Sequence, residues 1–149
     1  MLQWTVAKIL TAVAPDTEER VRRILQGHQI DFVNDIQAAT DALNQDGIAL
    51  VFVGARFDES RMFDLLEYIR IHAEHKKLPI VAAIVGTTRM SKTTVDGLAH
   101  TTKIFGASVF VNLNDFADDE TGNGRLRIIV DALIVPPEVI PGLRETLSK

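Results

Sequence analysis

The stretch Gly86-Thr87-Thr88-Arg89-Met90-Ser91-Lys92 brings a glycine, three hydroxyls and two cations together within seven residues. Free backbone N–H groups beside hydroxyls and positive charge suit a phosphate or a carboxylate. Gly86, Thr87, Thr88, Arg89, Ser91 and Lys92 therefore form a candidate anion loop. The stretch is not a P-loop, because the second glycine and the Gly-Lys-Ser/Thr ending are missing, and no Gly-x-Gly-x-x-Gly occurs elsewhere. The competing reading is a polar loop that caps a helix through Ser91. Asp16, Asp58 and Glu59 offer carboxylates that read as helix caps, or, for Asp16 with Asp58, as a displaced cation site. Arg56 reads either as a solvated rim residue or as an anion ligand. His72 and His75 are spaced i, i+3 with Glu74 beside them, but no third ligand stands at zinc-motif spacing. At a helix end, His75, Lys76 and Lys77 more simply complement the dipole. His28 and His100 stand alone. Ser108 has no nucleophile-elbow glycines and no assignable His–acid partner. With no cysteine in the chain, disulfides, thiolate metal sites and a thiol nucleophile are excluded. Nothing here assembles an enzyme's reacting groups. No catalytic residue, metal or cofactor is expected.

The elements that would carry these residues alternate between two kinds of pattern. Apolar, β-branched runs lie at 6–14, 30–33, 48–53, 80–85 and 108–113, and four of them are continuous enough for strands covered on both faces. Asp31 interrupts the run at 30–33, which suits an edge strand. Between the runs, Val21/Ile24/Leu25, Ile36/Ala39/Leu43, Met62/Leu65/Leu66/Ile69, Val95/Leu98/Ala99 and Leu126/Ile129/Val130/Leu133 recur at helical spacing. Asp16-Thr17-Glu18-Glu19 and Asp58-Glu59-Ser60 read as helix starts, and Gly27 and Gly47 as helix ends. Residues 115–124 read as a long polar loop.

This order predicts an α/β protein: a (βα)₅ doubly wound parallel five-stranded sheet in a three-layer α/β/α sandwich, with a C-terminal extension. Five strands in this length favour the strand order 2-1-3-4-5 of flavodoxin-like folds. The domain spans 1–135. The extension at 136–149 carries Val139, Ile140, Leu143 and Leu147 at helical spacing, to cover the domain's own side or to contact a partner. Ligands in such sheets bind beyond the carboxyl ends of the strands, at the switch between the first and third.

Composition narrows the partners. The chain has 149 residues, 46% hydrophobic and 24% charged, enough for one domain, and a net charge of −4 from 16 Lys+Arg and 20 Asp+Glu. That balance gives no electrostatic reason to expect nucleic acid or an anionic membrane surface. No apolar run approaches the roughly 20 residues of a membrane span. Met1-Leu2-Gln3-Trp4 lacks the basic and apolar regions of a secretion signal, so a cytoplasmic location is expected. Trp4 and Leu2 read as a local cover or an exposed anchor.

The third unit, Ile48-Ala49-Leu50-Val51-Phe52-Val53-Gly54 followed by Met62-Phe63-Asp64-Leu65-Leu66-Glu67-Tyr68-Ile69-Arg70, resembles a response-regulator receiver domain. Lys77-Leu78-Pro79-Ile80-Val81 and Gly106-Ala107-Ser108-Val109-Phe110-Val111 continue the resemblance, which covers roughly residues 7–135. Receivers hold a divalent metal with paired acids after strand one and accept a phosphoryl group on an Asp ending strand three. The resemblance places the phosphoacceptor position on Gly54 and the acidic pair on Val13 and Ala14. The switch hydroxyl falls on Ile84, and the strand-five lysine on Leu113, or on Asn112 if the spacing is one shorter. Val, Ala and Gly carry no side-chain oxygen for Mg²⁺ and no nucleophile for phosphate. The resemblance thus implies a degenerate receiver, a non-phosphorylatable signalling module acting by protein–protein contact in a two-component or phosphorelay-type system. Phe110, Val139, Ile140 and Leu143 are its candidate interaction surface, with a protein partner or a second copy of the chain as the occupant. The alternative is a small-ligand domain holding a nucleotide or flavin phosphate in the crevice through the 86–92 loop.

Overall fold

The computed structural model describes residues 7–45, 47–72, 75–85 and 90–134. The strands are β1 (Lys8–Ala12), β2 (Gln29–Val33), β3 (Ile48–Gly54), β4 (Ile80–Ile84) and β5 (Val109–Asn112). The helices are α1 (Glu18–Ile24), α2 (Ile36–Leu43), α3 (Met62–Ile71), α4 (Lys92–Ile104) and α5 (Glu120–Ile134). All strand pairs are parallel, in the order β2-β1-β3-β4-β5. This is the flavodoxin-like order that the alternation of runs predicts.

Both faces of the sheet are apolar, and the period-two alternation assigns each residue to one of two cores. Ile9, Leu50, Phe52, Val81, Ala83 and Val111 pack with Val21 and Ile24 of α1, with Leu25 just beyond it, and with Leu126 and Val130 of α5. Leu10, Ala12, Val51, Val53, Ile80 and Ala82 pack with Ala39 and Leu43 of α2 and the Met62, Leu65, Leu66, Ile69 stripe of α3. β2 is an edge strand: its Asp31 pairs with Lys8 at 3.3 Å, and Phe32 lies beneath the Arg22 guanidinium at 4.8 Å. α4 is the exception among the helices, because Thr102 is its only buried residue. No helix among the described residues is long and apolar enough to cross a membrane.

Local chemistry moves several element ends from where the sequence patterns put them. Neither Asp16 nor Thr17 caps α1. Pro15 opens a 3₁₀ turn over Pro15–Thr17, and the Thr17 hydroxyl donates to Ala14 O at 2.7 Å, so no side chain caps that helix. Asp58-Glu59-Ser60 does not start α3, which begins at Met62 after a left-handed loop. Residues 115–124 are not one long loop. The Asp119 carboxylate accepts from Gly122 N at 2.7 Å and α5 starts at Glu120. Ser91 does cap α4, accepting from Thr94 N at 3.2 Å. Gly27 and Gly47, at φ +97° and +102°, turn the chain out of α1 and α2.

Two arginines fasten the ends of the sandwich. At the end of α3, Arg70 donates from Nη1 to Lys76 O at 2.7 Å and Leu78 O at 3.0 Å, and from Nε and Nη2 to Gly106 O. Burial lowers its pKa, and the carbonyls replace the lost water. Gly106 sits at φ +98°, with the Arg70 side chain wrapped where its Cβ would project. In α5, Arg127 donates to Ile24 O at 2.9 Å and Arg23 O at 2.6 Å, closing the seam with α1.

A Cβ on Gly122 would stand 1.9 Å from Ala117 O, whereas one on Gly124 meets nothing within 4 Å. Gly122→Ala is therefore expected to destabilise the protein by roughly 2–4 kcal/mol in urea unfolding, since backbone rather than a flexible side chain must give way. Gly124→Ala, in the same helix, is expected to be neutral or to stabilise by about 0.4–1 kcal/mol. Equal effects at the two positions would contradict the tight turn into α5.

Candidate functional site

The crevice lies where β1, β3, β4 and β5 end. β3 delivers Gly54, buried, and pairs it with Ala83 of β4. A Cβ placed on Gly54 would lie 3.4 Å from Val13 Cγ1 and 3.5 Å from Val85 Cγ2, in ordinary van der Waals contact with both. Val13, one residue beyond β1, is fully buried, and Val85, one beyond β4, is 7% exposed. Leu113, one beyond β5, is also fully buried and belongs with Val13 and Val85 to one apolar cluster. The direction in which a side chain at Gly54 would project thus meets methyl groups.

The remaining positions suggested by sequence fall around this plug. Ala14 is half-buried and gives its carbonyl oxygen to Thr17 N at 3.0 Å. Ile84 is buried and ends β4. By strand alternation it falls on the face of Ile80 and Ala82, opposite to Val85. Val85 went unnoticed in the sequence because it reads as one more residue of an apolar run. Asn112 accepts from Asn114 N at 3.0 Å and opens the 3₁₀ turn Leu113–Asp115, an Asx-type turn rather than a group aimed at Gly54. None of Val13, Ala14, Gly54, Val85 and Leu113 carries a side-chain oxygen or nitrogen. These residues do not fit a hard divalent cation, which needs several oxygen ligands.

Among the described residues, the charged side chains at the mouth are held by one another or by backbone N–H groups. Arg56 Nη2 stands 3.0 Å from both carboxylate oxygens of Asp16, bridging the loops after β1 and β3. Asp58 Oδ2 accepts from Ile36 N at 2.8 Å, and Asp35 Oδ1 from Ala38 N at 2.7 Å. Asp58 thus caps α2 from the neighbouring loop and is not brought together with Asp16 as a cation site. Asp58, Glu59 and Ser60 have φ of 44°, 54° and 72°. Three successive non-glycine residues in the left-handed region cost about 1–2 kcal/mol each. The Asp58 bond and the fully buried Phe57 side chain hold the loop in that shape.

The turn that follows β5 is pinned by α1. Arg20 donates to Leu113 O at 3.0 Å and to Phe116 O at 2.8 Å. Burial lowers the Arg20 pKa against the pull of Asp118. Beside it, Arg23 Nη2 meets Asp118 Oδ2 at 2.7 Å, and Asn123 Nδ2 donates to Asp118 Oδ1 at 2.9 Å. These bonds, Arg23 first, hold the Asp118 carboxyl below the usual range and raise the Arg23 pKa.

Other candidates are dispersed. Gly86, Thr87, Thr88 and Arg89 of the candidate anion loop lie outside the described residues, as do Leu2, Trp4, Val139, Ile140, Leu143 and Leu147. Of that loop, Ser91 is the α4 cap and Lys92 is exposed. Phe110 is half-buried and lines an open hollow of about 290 Å³ between α4 and β5, with Ala99, Thr102 and Lys103. Ser108 Oγ accepts from Ile80 N at 3.0 Å and is part of the sheet edge. His28 bridges Ala7 N at 3.3 Å and Asp131 Oδ1 at 2.7 Å. His100 is exposed on α4.

Known structures share this arrangement of elements. The receiver domain of NtrX from Brucella abortus superposes with a TM-score of 0.64 at 25% identity, over 85% of this chain and 97% of that one. A response regulator from Hahella chejuensis gives 0.67 at 20% identity, over 87% and 96%. The chemotaxis response regulator CheY4 of Vibrio cholerae gives 0.62 at 18% identity, over 88% and 100%. The fold is that of a response-regulator receiver domain. No protein-family model matches the chain, and no curated protein matches it. Among the described residues, valine, leucine and glycine stand together at the carboxyl ends of this chain's strands.

The lowered Asp118 carboxyl has a direct consequence for acid stability. Its contribution is present above the unfolded carboxyl value near pH 4 and is lost as pH falls through the lower folded value. Arg23→Ala is expected to lower the melting temperature slightly at pH 7, with the gap to wild type closing on acidification below about pH 4. A gap that persists unchanged into acid would contradict the pairing.

Proposed function

We propose that this chain is a receiver-like module of two-component-type regulation that accepts no phosphoryl group in its crevice and acts through contact with another protein. The observation that carries the reading is the Gly54 surround: the phosphoacceptor position has no nucleophile, and a side chain there would project toward the methyls of Val13 and Val85. Phosphoryl transfer to a side chain needs an attacking oxygen and, in this fold, a cation to neutralise developing charge. Gly54 supplies no attacking oxygen and its surround supplies no oxygen ligands. The receiver fold supports the signalling role, and the apolar crevice supports a fixed rather than phosphorylation-switched shape.

Contact with a partner is favoured on the side of α4 and β5. The α1–α5 seam is closed by Arg20, Arg23, Arg127 and the His28–Asp131 pair. By contrast α4 buries only Thr102, Ile104 is 69% exposed, and the hollow beside Phe110 stays open. A shape that no longer responds to phosphate offers such a surface constitutively.

Incubation with a small-molecule phosphodonor and Mg²⁺, followed by intact-mass measurement, is expected to leave the native protein at its unmodified mass. Covalent phosphoryl addition to the native fold would overturn the proposal. Gly54→Asp alone is expected to remain unmodified as well. It should destabilise the fold by roughly 2–5 kcal/mol, because the new carboxylate faces Val13 and Val85 without cation or hydrogen bond.

A further inference from the structure

We infer that His28 is a pH-sensitive clasp, holding the entry of β1 only while its imidazole is neutral. Ala7, one residue before β1, donates its N–H to His28 Nδ1 at 3.3 Å. A backbone N–H only donates, so Nδ1 carries the lone pair. Nε2 then carries the proton and donates it in a hydrogen bond to Asp131 Oδ1 of α5 at 2.7 Å. Both ring nitrogens are committed, and the two bonds together specify the neutral Nε2–H tautomer.

The clasp stands where the β1–β2 ladder runs out. Ala7 O accepts from Gln29 N at 2.9 Å. In a parallel ladder the N–H of such a residue goes to a carbonyl of the neighbouring strand, and here an imidazole stands in for it. Gly27, at φ +97°, turns the chain out of α1, and His28 N donates to Leu25 O at 3.1 Å, which fixes where the ring starts. Ala7 is buried, so its N–H depends on this acceptor.

A second proton upsets the arrangement. The imidazolium donates from both nitrogens and accepts at neither. Its Nε2–H keeps Asp131, now in a charge-assisted bond. Its Nδ1–H would face the Ala7 N–H, donor against donor. The partly exposed Asp131 side chain can follow the ring, whereas the buried backbone of Ala7 cannot. Protonation therefore shifts the ring from β1 to α5 and frees the entry end of β1. The other charges on the surrounding elements have partners of their own. Arg127 of α5 serves Ile24 O and Arg23 O, Arg22 and Arg23 of α1 engage Phe32 and Asp118, and Lys8 of β1 pairs with Asp31 of β2. Imidazole is the side chain that changes charge near neutral pH, and the clasp does not rest on the crevice reading.

The test is NMR on the isotope-labelled full chain, from about pH 8 down to about pH 5. At the alkaline end the His28 ring is expected as the Nε2–H tautomer. On acidification the Ala7 amide signal should move with the same midpoint as the His28 ring. Its protection from hydrogen exchange should fall about tenfold, the equivalent of one net hydrogen bond, while Leu10 in the centre of β1 stays protected. His28→Gln, whose amide offers both an acceptor and a donor but takes no proton, should abolish the acid response of Ala7. Asp131→Asn should keep that response and shift its midpoint to lower pH, because no anion then faces the imidazolium. An Nδ1–H tautomer at the alkaline end, an Ala7 amide that ignores protonation of His28, or an equal response in folded His28→Gln would overturn the inference. Should that variant fail to fold, the wild-type tautomer and the shared midpoint decide alone.

Discussion

The placing of Val13 and Val85 methyls along the direction in which a Gly54 side chain would project sets the character of the carboxyl end of the sheet among the described residues. The described residues beside Gly54 there are apolar, and an uncompensated charge among them would be costly. In a receiver built around clustered carboxylates, mutual repulsion must be offset by a bound cation, and the loops must reach in to hold it. Here the strand ends seal against one another with Leu113 in the same cluster. The loops after β1 and β3 carry structural bonds.

Those bonds explain where the polar residues of the mouth have gone. Arg56 Nη2 meets the Asp16 carboxylate across the loops after β1 and β3. The Asp58 carboxylate accepts a hydrogen bond from the first N–H of α2, which helps to hold the left-handed path of Asp58-Glu59-Ser60. The same economy appears on the far side, where Arg20 and Arg127 spend their donors on backbone carbonyls of the seam. Rigidity is thus unevenly distributed: α1 and α5 are stitched together, while α4 rests on β5 with little burial.

The strand runs and helix stripes were legible because burial on both sheet faces leaves a direct mark on sequence, and the strand order followed from their alternation. That Gly54, Val13 and Ala14 carry no side-chain oxygen is a matter of residue type alone, whereas the nearness of Val13 and Val85 to Gly54 needed the fold. Asp16 and Asp58 misled because a cap is a statement about which N–H a carboxylate reaches. Both found partners about 20 or more residues away, Asp58 at Ile36 and Asp16 at Arg56. The same limit hid Arg20 and Arg70, whose long side chains look like solvated surface until the carbonyls they serve are brought beside them. The start of α5 was obscured by Gly122 and Gly124, which read as loop although Gly122 is demanded by the close approach of Ala117.

Whether Val13, Gly54 and Val85 surround a hard cation is read from the methyl signals of Val13 and Val85 and the amide of Gly54 in NMR spectra during a Mg²⁺ titration. These signals are expected to stay in place through millimolar Mg²⁺. Saturable shifts confined to Val13, Gly54 and Val85 would contradict that expectation.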